Sequence, residues 1–483
     1  MRLRVAAAVL LGLAAACAAP RESVEATSRP PNVVLILADD LGIGDLRAYN
    51  PASKVPTPRL DALASEGLRL TDMHTPSAVC SPTRYGLLTG RYAWRGELKS
   101  GVLWGSSPYL IEPERPTLAT MLRARGYRTG AFGKWHLGLG ANETTDFAAE
   151  LAPGPLEAGF DTFFGIPASL DMPPYLYVVD RGVEAPASET VAGSAHRRQD
   201  GGGFWRAGAI APGFEFDGVL PRVVDESLEW LRKGSERGDA PFFLYLPLTA
   251  PHTPWVPTAD LHGASEAGWY GDFVAQVDFE IGRVLDELER LGVADDTLVI
   301  VTSDNGAHWP DADVARFGHD ANAGLRGQKA DIFEGGHRVP FVARWPGRVP
   351  AGEVRDDLAG LTDLFATLAT LTGEPWGGEG AEDSLDLAPV LRGADLAEPA
   401  RTSLVHHSLD GHFALRAGRW KWIEKLGSGG FTPPKTAEPP PGEPDGQLFD
   451  LVADPRETTN LVAERPDVVR ALQAELDRLR AGG

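Results

Sequence analysis

Two carboxylates stand side by side at Asp39 and Asp40, directly behind the apolar run Val33 to Ala38. Adjacent acids repel each other unless a cation lies between them. A second oxygen pair, Asp304 and Asn305, closes another apolar run in "TLVIVTSDNG". Alone, each pair reads as a turn: an N-cap and surface turn for one, an Asn-Gly turn for the other. Together they offer oxygen donors suited to Ca2+ or Mg2+ rather than zinc. The 11 histidines show no metal-ligand spacing. The third feature is Cys80, one of two cysteines in 483 residues, in the stretch "AVCSPTRYGLLTG". Pro82 and the apolar residues behind it predict a helix that starts at this point. A helix N-terminus stabilises anions, and Arg84 is expected to project one turn on, toward the same mouth. A lone cysteine is ordinarily a buried structural thiol. The cationic surroundings expected here argue for a chemical one.

These groups need a scaffold that joins residues 39, 80 and 304. Continuous apolar runs at Val33 to Ala38, Phe242 to Leu248 and Thr297 to Gly306 read as strands covered on both faces. Helical patterns lie between them, as in "PRLDALASEGL", "TLATMLRARGY" and the long "DFVAQVDFEIGRVLDELERLG". The expected fold class is α/β: a large, mostly parallel central sheet with helices on both faces. Ligand sites in such sheets lie beyond the carboxyl ends of the strands, where Asp39, Asp40, Asp304 and Asn305 all fall. After about Gly373 the chain turns Gly-rich and acidic, then carries short strand-like pieces and an amphipathic terminal helix. Residues 32–373 therefore read as a catalytic domain. Residues 374–483 read as a smaller α+β subdomain with an antiparallel sheet.

The net charge of −21 disfavours nucleic acid and anionic membranes as partners. Residues 1–19 read as a signal peptide, with Arg2 and Arg4 ahead of an apolar, Ala-rich run. Residues 20–31 read as a polar linker. The chain is expected to be exported, to a periplasm or the extracellular space. Two processing routes stay open: cleavage before Cys17 with a lipid anchor on it, or simple cleavage after an Ala. No later segment has the length and purity of a membrane helix.

"CSPTR" is the C-x-P-x-R signature of type I, formylglycine-dependent sulfatases, within the alkaline-phosphatase-like superfamily. The chain resembles this arylsulfatase-like family in six ordered segments, which also include "GYRTGAFGKWHLG", "APHTP", "TSDNG", "LRGQKADIFEGGHRVPF" and "LFDLVADPRETTNLV". One departure is Phe132, where a smaller residue is usual. The resemblance implies that a separate formylglycine-generating enzyme oxidises Cys80 to an aldehyde. The hydrated aldehyde would then be the nucleophile in hydrolysis of a sulfate ester. It implies Ca2+, with Mg2+ as the alternative, held by Asp39, Asp40, Asp304, Asn305 and the modified Cys80 side chain. Asp304 would act as base for the attacking hydroxyl, and Lys134 and Arg84 would fix the diol and the ligating carboxylates. His136 would serve as base for the elimination. His252 and Lys329, with Lys134, would face substrate, gripping sulfate and protonating the leaving alcohol. Exported sulfatases of this kind often act on sulfated carbohydrates, which is the substrate class expected here.

Asp171, Tyr175 and Tyr177, and further on His308, Trp309, His319, Asp320 and Asn322, have types suited to sugar recognition or equally to packing. Three rivals are weighed. A phosphodiester or phosphonate monoester hydrolase of the same superfamily tends to carry His where Asn305 stands. A cysteine-dependent phosphatase needs Arg six residues after the thiol, and that position is Gly86. A non-catalytic binder of sulfated glycans would keep Cys80 unmodified.

Overall fold

A computed structural model of the chain describes residues 30–194, 203–236, 238 and 240–482. The expected signal peptide, with Cys17, and nearly all of the linker lie outside the described residues.

The apolar run after Asn32 forms the strand Asn32–Asp39, and Val33 to Ala38 are all fully buried. A strand with no polar face must be covered on both sides. It pairs in parallel with Phe242–Pro251 on one side and Thr297–Ser303 on the other. Arg128–Lys134 and then Thr162–Ile166 extend the parallel set beyond Phe242–Pro251. Antiparallel strands finish the edges, Phe341–Arg344 against Thr297–Ser303 and Val178–Val179 against Thr162–Ile166, giving a ten-stranded, mostly parallel sheet.

The helices Pro58–Glu66, Val219–Ser235 and Gly268–Arg290 pack together, and the group Cys80–Thr89, Leu118–Ala124 and Leu364–Leu371 packs separately. Their apolar stripes match the sequence periodicity. Phe273, Val277, Ile281, Val284 and Leu288 of the longest helix are buried, whereas Leu285 is only half-buried. Phe132 fills its place in the sheet by packing on Trp230, with ring centroids 5.8 Å apart.

A separate four-stranded antiparallel sheet, Ser403–His407, Phe413–Ala417, Trp420–Ile423 and Gln447–Asp450, is covered by the terminal helix Pro466–Ala481 through Leu472 and Leu476. Its edge strand is stitched to the segment that leads into Cys80: the Ala78 N–H donates to the His407 carbonyl at 2.9 Å. Among the described residues no helix is long and apolar enough to cross a membrane.

Candidate active site

Parallel strands point their carboxyl ends the same way, so neighbouring strands deliver neighbouring residues to one rim. Asp39 ends the central strand, with Asp40 next. His252 follows Phe242–Pro251, Asp304 and Asn305 follow Thr297–Ser303, and Lys134 ends Arg128–Lys134, two residues before His136. Gly133 permits that placement: it lies at φ 133°, and a Cβ there would stand 1.9 Å from the Pro247 carbonyl oxygen. Asp40 (φ 70°) and His136 (φ 58°) adopt left-handed backbone conformations, a strain that persists only where surrounding structure imposes it.

Cys80 is the first residue of the helix Cys80–Thr89, whose N-terminus has no side-chain cap. Its Sγ lies 3.6 Å from Asp39 Oδ1. Asp39 accepts from Lys134 Nζ at 2.9 and 2.8 Å. Asp40 accepts from Lys329 Nζ at 2.8 Å and from Asn305 Nδ2 at 2.7 Å. Arg84 Nε and Nη2 donate to Asp304 Oδ2 at 2.9 and 2.7 Å, and Nη1 donates to the Lys134 carbonyl at 2.7 Å. Arg84 therefore differs from the sequence expectation: it is fully buried behind Asp304 and does not reach the mouth. With Nε and Nη2 both on one carboxylate oxygen, the guanidinium is committed to a buried ion pair and not to an open anion trap.

The two site histidines have readable tautomers. His252 Nδ1 lies 2.6 Å from the Thr253 carbonyl and must donate to it, which leaves Nε2, 3.9 Å from Asp40 Oδ2, as the free nitrogen. His252 joins Asp39, Asp40 and Cys80 in one cluster of candidate ligand atoms. His136 Nε2 donates to the Leu103 carbonyl at 2.7 Å, and its buried Nδ1 has no partner. Burial, then the Lys134 and Arg84 charges, hold the His136 imidazole well below its ordinary value, so it is a neutral base. Burial pushes the Asp39 carboxyl up, but Lys134, His252 and Arg84 outweigh it and keep Asp39 ionised. Burial and the nearby Asp304 carboxylate push the Cys80 thiol far up, the opposite of what a thiolate nucleophile needs.

Cys80, His136, His252 and Lys329 line one cavity of about 610 Å³. Of the weaker sequence candidates, Asp171 and His308 also line it. The others serve packing or support. Tyr175 is buried and donates to the Arg206 carbonyl, and Tyr177 stacks on Phe164. Trp309 stacks near Tyr270 and donates to the His319 carbonyl, and His319 pairs with Asp45. Asp320 accepts from the Asn322 and Gly324 N–H groups, and Asn322 accepts from the Ala307 N–H. The cavity adds residues that sequence reasoning missed, notably Trp104, Ser169, Phe204 and Arg206. They sit on loops without periodicity. The only signal was a tryptophan between turn residues in "VLWGSS".

Sequence spacing also hid a second cluster. Buried His74, His337 and His406 meet from three distant segments. Lys421 Nζ can only donate, so His337 Nε2 accepts at 2.9 Å. His337 Nδ1 then donates to His74 Nδ1 at 3.0 Å, and His74 Nε2 donates to Asp72 at 2.9 Å. His406 stacks on His337 at 3.9 Å. This chain of hydrogen bonds clasps the C-terminal sheet to the segment before Cys80.

The histidines carry a consequence for acid stability. Burial holds His136, His337 and His406 well below the ordinary value and lowers His407 to about 4. Unfolded, these groups bind protons below about pH 6.5, whereas folded they do not. Stability is therefore full above that value and is lost as pH falls through it, by up to ~1.4 kcal/mol per pH unit for each group. Urea unfolding is expected to show a loss of at least about 3 kcal/mol between pH 7 and pH 5. A flat profile would contradict the burial of neutral imidazoles.

A parallel-sheet rim that gathers carboxylates around a helix N-terminus, beside a separate antiparallel sheet, is the alkaline-phosphatase-like arrangement shared by the solved structures this chain is similar to. Comparison narrows the class. A family model described as Sulfatase matches residues 31–374. The N-acetylgalactosamine-6-O-sulfatase of Bacteroides thetaiotaomicron is 34% identical, with 94% of each chain covered. Arylsulfatase A of Homo sapiens is 35% identical, covering 94% of this chain and 89% of that one. A solved sulfatase structure from work on glycosaminoglycan metabolism by Bacteroides thetaiotaomicron matches with a TM-score of 0.82 and 33% identity, over 94% of this chain and 100% of that one. The chain belongs to the sulfatase family and is a sulfuric ester hydrolase.

Proposed function

We propose that this sulfatase releases sulfate from a sulfated carbohydrate, using a formylglycine made from Cys80 and a divalent cation. Cys80 carries the reading: it is a buried, non-acidic thiol at an uncapped helix N-terminus, encircled by charged groups no structural cysteine needs. The donor set fits a hard cation. Asp39, Asp40 and Asp304 supply carboxylates, and the buried Asn305 Oδ1 has no hydrogen-bond partner, which suits Ca2+, or Mg2+. Asp39, Asp40, Asp304, Asn305 and the modified residue 80 would hold it, and it would supply Lewis acidity toward a sulfate oxygen. As a hydrated aldehyde, residue 80 would offer one hydroxyl for attack on sulfur and a second whose deprotonation would release sulfate by C–O cleavage.

The remaining work falls to this chain's own groups. Asp304, fixed by Arg84, takes the proton of the attacking hydroxyl. Lys134 holds Asp39 and the substrate side of the diol. His136 uses its unpartnered Nδ1 to take the second proton. His252, through Nε2, and Lys329 grip the sulfate and return a proton to the leaving alcohol. Burial would lower the Lys329 ammonium, but the Asp40 charge together with Cys80, Asp39 and Asp304 outweighs it, and Lys329 remains cationic. A formylglycine-generating enzyme would be the maturation partner, and the mature chain would work in a periplasm or the extracellular space.

The carbohydrate assignment draws on the named relatives and on the aromatic and polar side chains, Trp104, Ser169 and Asp171 among them, that line the cavity. Mass spectrometry of the tryptic peptide that carries Cys80 is expected to find an aldehyde in natively made protein. Sulfate release from saccharide sulfates should exceed phosphodiester hydrolysis and should stop with a chelator. An intact thiol in active protein, or a preference for phosphodiesters, would overturn the reading.

A further inference from the structure

Past Cys80, the cavity wall carries groups that the hydrolytic chemistry leaves unused. Asp171 is only 5% exposed. Its Oδ2 accepts from Arg206 Nη1 at 2.6 Å, while its buried Oδ1 has no hydrogen-bond partner among the described residues. Ser169 is buried on the same wall, and its Oγ is unpartnered too. A buried polar oxygen left without a partner is costly, so this wall is built to receive O–H or N–H groups.

The neighbouring side chains say what kind of molecule brings them. The Arg206 guanidinium lies 5.1 Å from the Trp104 ring centroid and 5.2 Å from that of Phe204. Its backbone N–H donates to the Asp171 carbonyl. Arg206 is thus held between two rings and already neutralised by Asp171. Trp104 remains 52% exposed at the mouth, an apolar platform open to a ligand. An aromatic face beside two unpartnered oxygens suits a pyranose, whose C–H face is apolar and whose rim carries hydroxyls or an acetamido N–H. A uronate carboxylate would meet the Asp171 charge and find its one guanidinium partner occupied.

We propose that Ser169, Asp171 and Trp104 form the subsite for a neutral sugar ring that carries the sulfate, with Asp171 Oδ1 accepting from the ring's O–H or N–H groups. This deepens, and rests on, the sulfated-carbohydrate reading. Arg206 acts through Asp171 as a positioning residue.

The test compares kcat/KM across a panel of singly sulfated neutral monosaccharides and sulfated uronates, with nitrophenyl sulfate as a flat aryl reference. The native enzyme should prefer a neutral sugar sulfate. Asp171→Ala should lower the ratio of sugar to aryl kcat/KM by roughly 10- to 100-fold, the worth of a hydrogen bond to a buried charge. Trp104→Ala, at an exposed site that does not threaten folding, should lower the ratio about 3- to 30-fold. A ratio unchanged in both variants, or a native preference for uronates, would overturn the subsite and leave the sulfatase reading standing. Native enzyme that cleaves the aryl sulfate but no saccharide would instead overturn the carbohydrate reading, and the subsite with it.

Discussion

Replacing Cys80 by serine is expected to give an enzyme that turns over once and stops. Position 80 would still present an oxygen nucleophile at the helix N-terminus, among the Lys134, His252 and Lys329 groups that line its surroundings. Serine has one hydroxyl where the hydrated aldehyde has two. After sulfuryl transfer no hydroxyl remains on the same carbon to expel sulfate, and release must wait for water to attack a buried sulfur. Steady-state turnover should fall by roughly 10³-fold or more, the scale of losing a nucleophile's function. A burst of alcohol stoichiometric with enzyme should precede the stall, and the tryptic peptide carrying residue 80 should acquire a sulfate adduct. Native turnover by the serine variant would show that residue 80 is not the nucleophile.

Asp304→Asn is expected to cost both activity and stability. The Asp304 carboxylate receives two N–H donors from Arg84 on Oδ2 and the Asp40 N–H at 3.2 Å on Oδ1. Asparagine keeps the volume but removes the charge. Arg84, with no solvent exposure, would retain only Asp39 at 3.7 Å as a counter-charge. Breaking one side of a buried pair costs about 3–5 kcal/mol. Turnover should fall about 10³-fold or more through loss of the base and of a metal donor, measured at a temperature where circular dichroism shows the variant folded. Asn305→Ala separates the two effects. It leaves the Arg84–Asp304 pair intact and removes the unpartnered Oδ1 together with the Nδ2 that donates to Asp40, so its defect should be relieved by added Ca2+ while that of Asp304→Asn should not. Near-normal activity in Asp304→Asn would refute the assignment of base and ligand together.

What the amino-acid order determined by itself was the scaffold and the address of the chemistry. Strands buried on both faces leave unbroken apolar runs, and Val33 to Ala38 could hardly be anything else. Parallel pairing then makes the residue after each run a rim residue, so Asp39, Asp40, Asp304 and Asn305 were legible without coordinates. Pro82 and the apolar residues behind it likewise announced the helix that begins at Cys80.

Only the tertiary structure decided which partners these groups take. Arg84 was expected at the mouth, but burial in the Cys80–Thr89 helix aims it inward at Asp304, because a desolvated guanidinium must find a carboxylate. His74 lies 263 residues before His337, with His406 later still, and the three meet because the C-terminal sheet docks on the loop before Cys80. Trp104, Ser169, Asp171 and Arg206 converge from loops whose paths follow no periodic pattern. Local sequence records how much of each residue is buried, because that repeats with the turn of a helix or the pleat of a strand. Contacts between distant loops have no such period, and they appear only once the chain has closed.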